Sequence, residues 1–524
     1  MRRLPIGPGA GGAAVVLRVR ESRTHREGRQ RGWIGGTAMA QEALVNSDAR
    51  ALMEQVRERV ARTQIKYHRW AKTDRDQRFG DLFNLVSHPD YLRVAWQHVA
   101  RNKGARTAGV DGVTVRQIAQ RGEIGDFLNG IAASLKDGTY RPSPVRRVLL
   151  PKPGGKSRPL GIPTVTDRVV QQSLRMVLEP IFEADFQPVS YGFRPKRRAH
   201  DAVAEIHHYA TSGYRWVLDA DIEGCFDHID HTALLGLVRE RIKDKKTVAL
   251  VRAFLKAGVL DELGLQAATS EGTPQGGIIS PLLANIALSV LDEAIMAPWK
   301  PGGDQSSQAE RAKRRYHGLG NWRIVRYADD FVIMTNGSKD DALALKEQAA
   351  EVLAGIGLRL SEAKTRVTHL REGIDFLGFH IQWRKRRGGG KWCCMVFISN
   401  KAFARIKQTI RALTPRRSPR PMMDVIIEVN AALRGWTSYF RHAIAGRRFS
   451  FLRYFTWRRF VAWQREQRRW NWSKVKRWLR RPDGSWKPIA TTDVAVFDPT
   501  KVRVRRYRYR GNRIPSPYDP ATAA

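Results

Sequence analysis

Two adjacent carboxylates, Asp329 and Asp330, interrupt an apolar, β-branched run in "RIVRYADDFVIMT", Arg323 to Thr335. Successive side chains of a strand point to opposite faces, so both can approach one locus only at a hairpin turn. Buried and unpaired they would be costly, and a bound cation is the natural compensation. Mg²⁺ takes oxygen ligands in an octahedron and usually keeps substrate phosphates among them. Two such ions can activate an attacking hydroxyl and steady a leaving oxygen, which calls for a further carboxylate from elsewhere in the chain. "LDADIEGCFDHID" offers Asp219, Asp221, Asp227 and Asp230. A bare Asp-Asp pair is as often a solvated turn. A second acidic strand end in so basic a chain tips the balance toward a metal site.

The elements that must position these groups are legible in outline. Asn46 to Trp70 reads as a helix, Pro89 to Val99 as a second, and "NKGARTAGVDG" as a loop. "VRRVLLPKPGGKSRPLGIP" has the pattern strand, Gly/Pro turn, strand. From Thr166, Leu174, Val177, Leu178, Ile181 and Phe182 form one helical face. "RWVLDADI" is a strand that ends in carboxylates. "SPLLANIALSVLDEAI" is a helix with Ser280 as N-cap and Pro281 at its first position. "DALALKEQAAEVLAGIG" is another, stopped by Gly355 and Gly357. Alternation to about Ile398 predicts an α/β or α+β catalytic region. After Asn400, Phe403, Ile406, Ile410 and Leu413 keep helical spacing until Pro415. Later helices are dense in Arg and Trp.

Bulk composition narrows the class. The chain has 524 residues, 92 Lys plus Arg against 50 Asp plus Glu, and a formal net charge of +42, which calls for a polyanionic partner. No apolar run reaches the roughly 18 residues expected of a membrane span, so no membrane partner is predicted. Cys225, Cys393 and Cys394 have no zinc-ligand spacing and no disulfide framework, which suits a reducing compartment. The tail "KVRVRRYRYRGNRIPSPYD" interleaves cations with tyrosines, a pattern for phosphate contacts with base stacking.

"YADD", Tyr327 to Asp330, resembles the polymerase signature of reverse transcriptases. "DIEGCF" resembles their other metal motif, an Asp followed five positions later by an aromatic, and that spacing selects Asp221 over Asp219. "SRPLGIPTVTDRVVQQ", "YGFRPKRRAHDAV", "GTPQGGIISPLLANI", "LSEAKT" and "DFLGF" follow in the order shown by group II intron-encoded reverse transcriptases. "LRGWTSYFRHA", Leu433 to Ala443, resembles the maturase or thumb motif of that family. The resemblance runs from about Ser87 to Arg480.

The resemblance implies an α+β, right-hand polymerase: fingers and palm of reverse-transcriptase type, an α-helical thumb/maturase domain, and a basic C-terminal tail. Expected boundaries are 1–45 for a basic, disordered leader, 46–115 for N-terminal extension helices, 116–398 for fingers and palm, 399–481 for thumb/maturase and 482–524 for the tail. Asp221, Asp329 and Asp330 would be the catalytic carboxylates holding two Mg²⁺ ions, with Mn²⁺ able to substitute. Lys152 and Arg158 would grip the incoming deoxynucleoside triphosphate, as a point charge and a fork suit phosphate oxygens. Phe226 would sit under the sugar and exclude a 2′-hydroxyl, with Gln275 and Gly276 lining the nucleotide pocket. Lys364 is a candidate general acid for pyrophosphate, though an exposed lysine is nearly as good a reading. Phe376, Leu377 and Gly378 would form the primer grip. Arg434, Trp436, Tyr439 and Arg441 are candidate RNA contacts.

The implied partners are a group II intron RNA and an RNA template with a DNA primer, in a bacterial cytoplasm or nucleoid. Two alternatives remain: a splicing-only RNA-binding maturase, which the intact carboxylates oppose, and a domesticated enzyme of diversity-generating, retron or defence type, which the "QGGIISP" segment and the helical module with "RGWTSYFRHA" oppose, Pro281 standing where the diversity-generating kind would carry Gln. No paired cysteines follow Cys394, so no His-Asn-His endonuclease is expected.

Overall fold

A computed structural model describes residues 35–151, 157–260, 266–267, 272, 276–386, 388–417 and 419–519. Eleven strands lie among them: β1 Val145–Pro151, β2 Ser157–Ile162, β3 Trp216–Asp221, β4 Val259–Leu260, β5 Gln266–Ala267, β6 Trp322–Tyr327, β7 Asp330–Thr335, β8 Arg366–His369, β9 Ile374–Phe376, β10 Phe379–Lys385 and β11 Trp392–Ile398. They form three sheets, ordered β2-β1-β4-β5, β6-β7-β3-β8 and β11-β10-β9. The first is the hairpin read from "VRRVLLPKPGGKSRPLGIP", with Leu150 opposite Arg158.

The second sheet carries the carboxylates and is antiparallel throughout. β7 reads as a continuous apolar run from Phe331 to Met334 because both its faces are buried, and along β3, β6 and β7 the two-residue period sends alternate side chains into different cores. Leu218, Ala220, Ile324, Phe331 and Ile333 join a core shared with the Val165–Asp185 and Ser280–Met296 helices. Val217, Val325, Val332 and Met334 join a second core, shared with the Ala199–Thr211 helix, the third sheet and the C-terminal helices. The central sheet is thus the plate that both halves of the molecule pack against.

The first helix is longer than the sequence suggested, Gly35–Thr73. It lies along Val165–Asp185, with Gln64 donating to the Met176 carbonyl and His68 bonded to that of Pro180. The expected loop after Asn102 includes a short 3-10 turn, Lys103–Arg106. Ser280 is the first residue of its helix rather than the cap, and Ile279 holds the N-cap position without a side-chain bond. One helix departs from the expectation that no run is apolar enough to cross a membrane. Ser280–Trp299 meets that test by length and composition, but 67% of its most apolar window is buried inside the protein. It is the core helix beneath the sheet, which explains its apolarity.

Candidate active site

β6 ends at Tyr327 and β7 begins at Asp330, and those two residues are paired across the ladder. Ala328 and Asp329 form the connecting loop, with Ala328 in the left-handed region at φ +57°. That conformation is uncommon for a residue with a Cβ. On the other side of β7, Asp330 stands directly opposite Asp221, the last residue of β3. A two-residue hairpin and a strand end therefore bring the acidic segments together.

The electrostatics match a cation site that is crowded with negative charge. Asp330 is exposed to solvent at the start of β7, yet desolvation by its neighbours, then Asp329, Asp221 and Asp219, push its carboxyl up to about 7 against the opposing pull of Lys364. Burial and the nearby Asp329 likewise push the Cys225 thiol up to about 12. Lys364 Nζ donates to Asp221 Oδ2 at 2.7 Å, an ion pair at the rim of the cluster. Arg366 similarly holds Asp219, two positions earlier on the same strand face. Among the described residues no three acidic, His or Cys side chains stand in ready-made ligand geometry. The carboxylates are adjacent, but Asp221 is turned to Lys364. The donor set itself, all carboxylate oxygen, fits a hard divalent ion such as Mg²⁺ or Mn²⁺.

The loops around the carboxylates are fixed by close backbone contact. Phe226 is buried in the short Cys225–His228 helix just after Asp221. Gly272 packs on this segment at φ +83°, where a Cβ would lie 2.5 Å from the Asp227 carbonyl oxygen. Gly276, at φ +120°, sits on β2: a Cβ there would be 2.2 Å from the Gly161 oxygen. The Ile278 N–H is held by Gln171 Oε1 at 2.7 Å, which ties "QGGI" to the "VVQQ" helix. Lys152 and Gln275 lie outside the described residues, as does the side chain of Arg158, whose backbone is in β2.

Phe376, Leu377 and Gly378 form the tight turn between β9 and β10, with φ of +49° at Leu377 and +82° at Gly378. The Met422–Phe440 helix grips this turn. Tyr439 Oη donates to the Leu377 carbonyl at 3.0 Å, and the Phe440 ring lies where a Gly378 Cβ would make tight contact. Tyr439 and Trp436 are therefore half-buried packing residues, with Trp436 against Phe440. Arg434 is exposed above the Phe497 ring, and Arg441 is half-buried.

The tail is folded back on the protein. Tyr507 stacks on His200 and Tyr509 on His208. Arg506 donates to His207, Arg510 forms a fork on Asp201, and Tyr518 donates to Glu179. Arg503, Arg505 and Arg508 remain exposed. Tyrosines offered by the sequence for base stacking are spent on histidines here.

Sequence reasoning passed over the buried groups behind the turn: Arg326, Asn285, Asp292 and Ser190. A signal was available, since Arg326 is a charge inside an apolar strand and Asp292 a charge inside an apolar helix. It also passed over Gly192, where a Cβ would be 2.2 Å from the Ala328 nitrogen.

Residues 150–381 match the family described as reverse transcriptase (RNA-dependent DNA polymerase), and residues 403–482 match the group II intron, maturase-specific domain. Protein YkfC of Escherichia coli is 37% identical over 346 residues, 63% of this chain and 90% of that protein. The group II intron-encoded protein LtrA of Lactococcus lactis is 38% identical over 359 residues, 60% of this chain; the match spans only 58% of LtrA. A 91 kDa protein in the cob intron of Schizosaccharomyces pombe is 32% identical over 344 residues, 58% of this chain and 41% of that protein. A reverse transcriptase domain with a right-hand polymerase fold, followed by a maturase domain, places the chain in the family of group II intron-encoded reverse transcriptase/maturases.

Proposed function

We propose that this chain extends a DNA primer along an RNA template at Asp221, Asp329 and Asp330, and that it binds its own group II intron RNA to assist splicing and mobility. The observation that carries the reading is the direct cross-strand pairing of Asp221 with Asp330 beside Asp329. Two divalent ions, Mg²⁺ by preference, would supply activation of the primer 3′-hydroxyl and charge neutralisation on the triphosphate. The three aspartates hold those ions in one orientation. Lys152 and Arg158 bind the triphosphate, and Gln275 with Gly276 bounds the base. Phe226 closes the space beside C2′, so deoxynucleotides are favoured. Lys364, already within hydrogen-bond distance of Asp221, is placed to deliver a proton to pyrophosphate as it leaves. The Phe376–Gly378 turn supports the primer end.

The helices from Asn400 onward act as the thumb and, with exposed cations such as Arg434, as part of the intron-binding surface. The setting is a bacterial cytoplasm or nucleoid. Asp329→Ala tests the polymerase reading directly: primer extension on an RNA template should fall by several orders of magnitude with either Mg²⁺ or Mn²⁺. Wild-type extension would refute the assignment. Splicing assistance by the same variant should persist, because RNA binding does not use these carboxylates.

A further inference from the structure

Behind the carboxylate turn lies a fully buried charged cluster. Arg326 and Asp292 are both 0% exposed. A guanidinium has five N–H donors, and all five are used here. Nε and Nη2 form a fork on the two oxygens of Asp292. Nη2 also donates to Ser190 Oγ at 2.9 Å, and Nη1 to Asn285 Oδ1 at 3.0 Å. The fifth hydrogen bond runs from Nη1 to the Ala328 carbonyl oxygen at 3.0 Å. That carbonyl belongs to the left-handed residue that turns the chain toward Asp329.

Asn285 holds the turn from a second side. Its Nδ2 donates to the Gly192 carbonyl at 2.9 Å, and Gly192 is packed against the Ala328 nitrogen. Asn285 and Asp292 lie seven residues apart on the Ser280–Met296 helix, so two turns of one helix present both groups to one face. The segment before Gly192 is in turn hydrogen-bonded to β6, Tyr191 N–H to the Arg326 carbonyl and Arg326 N–H to that of Val189. The Ala328 peptide is clamped between a rigid helix and a loop, with Arg326 as the bridge.

We propose that Arg326, with Asn285 and Asp292, is a positioning assembly that fixes the Ala328–Asp329 turn and thereby sets the divalent-ion affinity of the Asp329/Asp330 pair. A buried ion pair is weak support for stability, since desolvation offsets its attraction. What this pair delivers is a fixed carbonyl orientation, the service that outer partners render to metal ligands. Lysine keeps the charge but has three donors and no fork, so it cannot hold Asp292, Asn285, Ser190 and Ala328 together. The inference rests on the proposed metal role of the aspartates.

The test compares Arg326→Lys and Asn285→Ala with Arg323→Lys. Arg323 lies on the same strand and forms a nearly as deeply buried pair with Glu205, 7% and 1% exposed, but does not touch the turn. Mn²⁺ binding to the full chain is measured by electron paramagnetic resonance without nucleic acid, alongside thermal melting and the Mg²⁺ concentration for half-maximal extension. The expected result is an increase of about 10-fold or more in the Mn²⁺ dissociation constant and in the Mg²⁺ requirement for the first two variants. Arg323→Lys should lose thermal stability without changing either quantity. If Arg326→Lys fails to fold, Asn285→Ala, which leaves the ion pair intact, decides. Wild-type Mn²⁺ affinity in a folded Arg326→Lys or Asn285→Ala protein, or an equal loss in Arg323→Lys, overturns the inference. Asp329→Ala separates the two levels: if it binds Mn²⁺ like wild type, the metal reading itself falls, and the positioning role with it.

Discussion

At the scale of single residues, the site depends as much on what is missing as on what is present. Gly192 carries no side chain because the Ala328 backbone occupies the space. Gly192→Ala should force the carboxylate hairpin outward. The cost of such overpacking is about 1–3 kcal/mol, and extension should fall further than stability does. Melting together with single-turnover extension checks this, and unchanged extension would mean that the turn tolerates displacement. Phe226 gives a second residue-scale prediction. Phe226→Val should admit ribonucleotides while leaving the carboxylates in place. Comparing incorporation of dGTP and GTP on one template reads the selectivity, which should drop by at least about 10-fold, within the range that pocket shape supplies.

At the scale of elements, the Met422–Phe440 helix does more than pack. Its Tyr439 hydroxyl reaches the Leu377 carbonyl in the turn expected to support the primer. Tyr439→Phe removes one part-buried hydrogen bond to the Leu377 carbonyl, at about 0.5–1.5 kcal/mol. The expected outcome is a near-normal melting temperature with weakened primer-end binding, seen as a higher primer concentration for half-maximal extension. Unchanged primer affinity would confine Tyr439 to packing. The sequence offers the motif "LRGWTSYFRHA" through its resemblance, but the helix that carries it, Met422–Phe440, is not read from apolar spacing. Nor could the sequence show that Trp436 and Tyr439 face inward, because the facing sheet comes from residues 374–398, which only the fold brings there.

At the scale of the whole molecule, the tail binds distant parts together. Residues 505–510 lie against His200, His207, His208 and His442, and Asp519 pairs with Lys72 of the first helix. Each of the four imidazoles is held below its ordinary value, first by burial. Arg506 adds to this at His207, bringing that group down to about 4. A histidine depressed in the fold favours the neutral form there, so the unfolded or detached state takes up the proton first. The tail's attachment should therefore be firm above about pH 6.5 and weaken as pH falls from there toward 4. Protection factors of the 505–510 amides, corrected for the intrinsic slowing of exchange with falling pH, check the direction at pH 7.5 and 5.5, and higher protection at the lower pH would contradict it. Charge acts at the same scale. With a net +42, intron RNA affinity should fall steeply with salt, by more than about 10-fold per doubling if about six phosphates are neutralised. A flat response would remove the basic surfaces from the RNA footprint.

The sequence by itself determined the chemistry available. The Asp329–Asp330 pair stands out by type and adjacency, Asp221 is picked from four candidate aspartates only by the family resemblance, and the strands are read from β-branched runs and the helices from periodicity, which are local properties. The tertiary structure decided which groups meet. It placed Asp221 opposite Asp330, turned the tail's tyrosines onto histidines, and buried Arg326 against Asp292, on a helix 34 positions earlier in the chain. Those outcomes depend on pairing register and on who shares a core, which are set by contacts between segments far apart in the chain and leave no periodic trace in either segment alone.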